Sequence, residues 1–105
     1  VRDALGALLQ GKGSIPALAA QWSETPAENW AWLARYAQLW LRALMGQPPA
    51  LLRGAPLPDA ADAAERLPRA WDLALRGRRL SERPVRHEWL LLEWLNHWRE
   101  LAGAR

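Results

Sequence analysis

RHEWLLLEWLNHWREL, residues Arg86 to Leu101, is the stretch whose reading decides the fold. At about 100° per residue, Leu90, Leu91, Trp94, Leu95, Trp98, Leu101 and Ala102 fall within one arc roughly 140° wide, so the segment reads as a helix with an ordinary core face. Glu93, Asn96, His97 and Glu100 take the opposite side. Trp89 lands among them beside Arg86, and Leu92 sits off the arc near Arg99. The wheel therefore predicts two large apolar side chains, Trp89 and Leu92, directed away from the core. Such surplus apolar surface points to an interaction module, because an exposed indole is stabilised when a partner covers it.

Upstream, Pro84 breaks the chain before this helix. Leu67, Trp71, Ala74 and Leu75 share a helical face, Leu73 and Leu80 make a second, and Arg69, Asp72, Arg76, Arg79 and Arg83 line a basic side, so a helix is predicted over 69–81. Pro68 either kinks this segment or opens a new helix at its first turn, which places a boundary near 66–68. Asp59 or Asp62 is a cap for the alanine-rich residues 60–65. Residues 47–59 hold four of the eight prolines and Gly54, the composition of an exposed connector.

Thr25-Pro26-Ala27-Glu28 is the best local signal in the chain: a Thr cap, Pro at the first helical position and Glu three residues after the cap, the pattern of a capping box. The helix it opens runs to Met45 and stops at Gly46 and Pro48-Pro49. Trp30, Trp32, Leu33, Tyr36, Leu39, Trp40, Leu41 and Leu44 cover most of its circumference, leaving Glu28, Arg35, Gln38 and Arg42 as a narrow polar stripe. That pattern describes a central helix whose tryptophans serve as core. Ser14 caps a short helix over 15–23 with Pro16 in its first turn. Val1, Ala4, Leu5, Leu8 and Leu9 define a first helix that ends at Gly11-Lys12-Gly13.

No segment alternates β-branched residues with period two, and Val and Ile number three in all (Val1, Ile15, Val85). The expected fold is all-α, a compact bundle of five or six helices, with 1–105 a single domain. Trp40, Trp94 and Trp98 are the expected core tryptophans. No apolar run approaches the roughly 18 residues of a membrane span. Without cysteines, neither a disulfide framework nor a thiolate zinc site can form, which fits a reducing, cytoplasmic setting. The chain opens on Val without a signal sequence and reads as an excised piece of something longer.

The net charge of +3 is modest, and the basic residues are arginines apart from Lys12. That usage fits a coding bias toward arginine, so the high isoelectric point is not by itself a nucleic-acid signal. Gly11-Lys12-Gly13-Ser14 lacks the spacing of a phosphate loop. His87 and His97 lie ten residues apart, too far to share a metal without other ligands, and Glu93 with His97 reads as a solvated i,i+4 pair. The serines stand at helix boundaries, where capping accounts for them. Neither a catalytic constellation, a metal site nor a cofactor site is expected, and the domain reads as non-enzymatic. One concentrated basic region, Arg76-Gly77-Arg78-Arg79 with Arg83 and Arg86, admits three readings: a solvated helix end, a partner interface, or a nucleic-acid surface. The interface reading also uses Trp89 and Leu92, which makes Arg76, Arg79, Arg86, Trp89 and Leu92 the candidate partner-contacting residues.

The order of these features resembles the C-terminal domain of the delta-prime subunit of the bacterial DNA polymerase III clamp loader. Trp30-Ala31-Trp32-Leu33 through Ala43-Leu44-Met45 is similar to that family's long second helix, and Leu67 to Leu80 to the next. Pro84-Val85-Arg86 through Glu88-Trp89-Leu90-Leu91-Leu92-Glu93 is similar to the closing helix. The resemblance implies an AAA+ type core preceding this domain, and a collar of five subunits in which the domain meets the delta subunit on one side and a gamma or tau subunit on the other. It further implies a bacterial cytoplasmic protein that supports sliding-clamp loading in DNA replication through assembly, with no direct contact to nucleic acid and no membrane. Two alternatives stand beside it: a small helical nucleic-acid-binding domain using Arg76 to Arg86, and a homo-oligomeric helical scaffold in which Trp89 and Leu92 are self-complementary.

Overall fold

The structure, a computed structural model, describes residues 2–44, 46 and 63–102. Five α-helices follow one another: α1 (Arg2–Leu9), α2 (Ile15–Trp22), α3 (Pro26–Leu44), α4 (Ala63–Arg79) and α5 (His87–Arg99), closed by a 3-10 turn, Glu100–Ala102. No strand occurs among the described residues, so the fold is all-α. The Cα radius of gyration, 13.0 Å, matches the about 13 Å expected of a compact domain near this length. The connector over 47–59, its capping aspartates and the Pro48-Pro49 stop lie outside the described residues.

Local chemistry sets the helix ends. α1 stops in a Schellman motif: Lys12 N–H donates to the Ala7 carbonyl (2.8 Å) and Gly11 N–H to the Leu8 carbonyl (3.0 Å), with Gly11 at φ +77°, a conformation costly for any residue with a Cβ. Ser14 caps α2 by accepting from Ala17 N–H (3.3 Å). α3 begins at Pro26 as its sequence predicts, but the Thr25 hydroxyl is engaged differently. It accepts from the Asn29 side-chain amide (3.0 Å), which also donates to the carbonyls of Trp22 (3.0 Å) and Thr25 (3.1 Å) and so ties the end of α2 to the start of α3.

α4 departs from the sequence reading. It runs unbroken from Ala63 to Arg79 with Pro68 inside it, and the boundary expected near 66–68 is absent. Pro68 lies early in the helix and is exposed, so the carbonyl of Ala64 that loses its intrahelical donor sits on an exposed residue and can be hydrated. The face that α4 buries also differs: Leu67, Ala70, Ala74 and Gly77 are its buried positions, while Trp71, Leu73 and Leu75 are half-buried. The small residues Ala70, Ala74 and Gly77, at 4-3 spacing, let α3 approach closely, and α3 with α4 is the most extensive helix pairing of the fold.

Trp40, Trp94 and Trp98 are buried, together with Trp30, Leu33, Tyr36, Leu91, Leu95 and Leu101. An aromatic ladder crosses between α3 and α5. Trp32 and Tyr36 lie 5.1 Å apart between centroids, Tyr36 and Trp98 5.5 Å, and Trp98 and Trp94 5.4 Å with planes only 7° apart. All fall within the range where ring pairs add about 0.5–1.5 kcal/mol to simple burial. Three buried indoles find partners outside their own helices. Trp94 Nε1–H donates to the Ala70 carbonyl (2.8 Å), Trp98 Nε1–H to the Leu5 carbonyl (3.2 Å), and Trp30 Nε1–H to His87 Nδ1 (3.2 Å).

Candidate interaction surface

The turn after α4 and the first residues of α5 position the candidate surface. Pro84 and the Val85 and Arg86 that follow it carry the chain to the N-terminus of α5, where Arg86 occupies the cap position without a side-chain hydrogen bond to the helix. Its guanidinium is thereby left for another role, and lies over the Trp89 ring, 4.7 Å from the centroid. Trp89 is 62% exposed and Val85 39%, in a chain whose other large apolar exposure among the described residues is Leu44. Beside them a cleft of ≈ 280 Å³ opens between this corner and Ser23 at the end of α2, with Glu88 on its wall. An exposed cation–π contact contributes about 0.5–1 kcal/mol, enough to bias the indole toward one orientation before anything binds.

The five candidate partner-contacting residues do not form one patch. Arg86 and Trp89 touch. Arg76 is exposed but lines a separate narrow cleft with Leu90 and Glu93, and Arg79 is the exposed last residue of α4. Leu92, expected to face away from the core, is half-buried and packs against the core cluster. The reason is that α5 is contacted by α1, α2 and α4, so more of its circumference is covered than a single core arc implies. The basic run is likewise divided: Arg76 serves the cleft with Leu90, Arg78 lines a groove against α3, and Arg86 stacks on Trp89. A continuous phosphate track would need these cations in one row.

Two residues at the heart of this region escape a reading by pattern. Gly77, embedded in the basic run, is buried, and a Cβ built there would lie 2.3 Å from Trp30 ring atoms. His87, polar and adjacent to Arg86, is also buried; by accepting the Trp30 N–H at Nδ1 it is set as the Nε2–H tautomer when neutral. Its Nε2 meets no hydrogen-bond partner among the described residues. The stripe Ala70, Ala74 and Gly77 was the available signal for Gly77, because small residues at 4-3 spacing mark a close helix contact as surely as leucines mark a broad one.

His97 sits elsewhere from its expected pairing with Glu93: its Nε2 lies 3.1 Å from the Arg66 carbonyl, and the Arg66 guanidinium pairs with Glu100 at 2.6 Å, pinning α4 to the closing turn. Among the described residues no group of His, Cys, Asp or Glu is placed to share a metal ion, and no helix is long and apolar enough to cross a membrane. Compared with protein-family models, with curated proteins and with solved structures, the chain finds no match.

Proposed function

We propose that this domain is a non-catalytic subunit-assembly module that docks through the corner formed by Val85, Arg86 and Trp89. The observation that carries the reading is the 62% exposure of Trp89, with Arg86 stacked on it, in a domain that buries Trp30, Trp40, Trp94 and Trp98 almost completely. Trp and Arg are the side chains most enriched among those that dominate binding energy, because each buries a large surface while keeping a hydrogen-bonding edge. The finer proposal is that the assembly is the bacterial DNA polymerase III clamp loader. This domain would then take the delta-prime position in the collar, between delta and a gamma or tau subunit. The resemblance of Trp30 to Met45, Leu67 to Leu80 and Pro84 to Glu93 supports that assignment. Division of the basic run among separate clefts weighs against a nucleic-acid surface.

The test is assembly with purified delta and gamma or tau subunits, measured for the unaltered domain and for Trp89→Ala. The domain should join the complex, and the variant should lose about 2 kcal/mol or more of binding free energy while its circular dichroism is unchanged. A domain that joins, with binding indifferent to Trp89→Ala, would remove the docking corner. A domain that never joins would remove the clamp-loader assignment.

A further inference from the structure

α3 and α4 leave between them, away from the Trp89 corner, a groove of ≈ 440 Å³. Its floor is apolar, made by Ala34, Trp71 and Leu75, and its polar members are Arg35 and Gln38 from α3 and Arg78 from α4. No acidic side chain among the described residues lines it. Arg35 and Arg78 are exposed, and neither guanidinium makes a hydrogen bond or ion pair with another described residue. Two guanidinium groups without a partner among the described residues thus stand on opposite walls of a groove that mixes apolar and cationic members. Such a pair offers bidentate, charge-assisted hydrogen bonds to carboxylates, stronger than their neutral counterparts.

Shape selects among anionic occupants. The lining positions run from 31 to 38 on α3 and from 71 to 78 on α4. At ~1.5 Å of rise per residue, the groove is roughly 10 Å long, about two helical turns. Both walls are helices whose backbone groups are already hydrogen-bonded within themselves. An extended strand would therefore find no ladder to join, whereas a helix satisfies its own backbone and needs only an apolar stripe to set on the floor. A nucleic acid would bring phosphates in series, and its affinity rests on neutralising many of them. Two cations over an apolar floor do not suit that load.

We infer that the α3–α4 groove receives an acidic amphipathic helix of a partner protein, its apolar stripe on Trp71 and Leu75 and carboxylates on its two flanks meeting Arg35 and Arg78. This surface is independent of the Trp89 corner, so one domain can hold two neighbours at once.

A fluorescein-labelled model helix with one leucine stripe flanked by glutamates is the probe, titrated with the domain and followed by anisotropy. Saturable binding that weakens as salt is added is expected. It should fall about tenfold or more in the double variant Arg35→Glu, Arg78→Glu, and remain unaltered in Trp89→Ala. Both arginines are exposed, so the double variant should keep the helical circular dichroism and melting midpoint of the unaltered domain, and Arg35→Ala with Arg78→Ala serves where charge reversal disturbs folding. Absent binding would overturn the inference. So would equal affinity for a probe with lysine in place of glutamate, undiminished affinity in both double variants, or self-association of the domain that excludes the probe. Displacement of the probe by single-stranded DNA more readily than by unlabelled peptide would also overturn it, and would return the groove to nucleic acid.

Discussion

At the scale of single residues, the sign of a substitution depends on neighbours that the local sequence does not show. Glycine inside a helix ordinarily costs about 0.5–1 kcal/mol relative to alanine, so Gly77→Ala would stabilise an exposed helix. Here the new methyl would meet the buried Trp30 ring at 2.3 Å. The indole cannot swing aside freely, because its Nε1–H is donated to His87 and its body is 1% exposed. Overpacking of this kind costs about 1–3 kcal/mol, which outweighs the helix-propensity gain. Gly77→Ala is therefore expected to lower the urea midpoint without changing the slope, a net loss of about 1–2 kcal/mol. A raised midpoint would mean that α3 and α4 do not meet at this glycine.

At the scale of elements, most of the fold was legible where punctuation is chemical. Ser14, the Thr25-Pro26 pair, Gly11 and Gly46 each impose a backbone conformation or supply a missing partner, and helix ends fall beside them. The arc Leu91, Trp94, Leu95, Trp98 and Leu101 was legible because large side chains at 3-4 spacing have nowhere to go but inward. α4 was less so, for two reasons. Its contact face is small, and a wheel weighted by large apolar residues picks out Trp71, Leu73 and Leu75, which lie on its flanks. Its proline signals a boundary in sequence, although early in a helix the ring removes one hydrogen bond whose acceptor can remain wet. Of the candidate surface, Arg86 and Trp89 were legible together, whereas Leu92 was not, because its burial depends on which neighbours surround α5. Pro68→Ala tests the continuity of α4. Restoring the N–H and relieving the ring should stabilise by about 1–2 kcal/mol, the helix-interior penalty of roughly 3 kcal/mol reduced by the early position and by the freer unfolded chain. A loss of stability on denaturant unfolding would instead show that Pro68 orders a helix start.

At the scale of the whole molecule, two surfaces and one closure matter. The proposed docking corner and the α3–α4 groove use different arginines, so Trp89→Ala and the Arg35, Arg78 double variant should separate cleanly in their effects on partners. The closure is the buried bond from Trp98 Nε1 to the Leu5 carbonyl, supported by the stack of Trp98 on Trp94 and its contact with Tyr36. Trp98→Phe keeps a ring but removes the donor and part of the volume. A loss of about 2 kcal/mol is expected, measured as a shift of the denaturant midpoint, from the lost inter-helix hydrogen bond and the residual cavity together. An unchanged midpoint would show that α1 is held by apolar packing alone.

That same bond joins positions 93 residues apart. During synthesis, Leu5 leaves the ribosome long before Trp98 is decoded. α1 must wait, its apolar stripe uncovered, until nearly the whole domain has emerged. A nascent chain stalled anywhere short of Trp98 should hold α1 as a loose, protease-sensitive end, which makes the last helix the latch on the first.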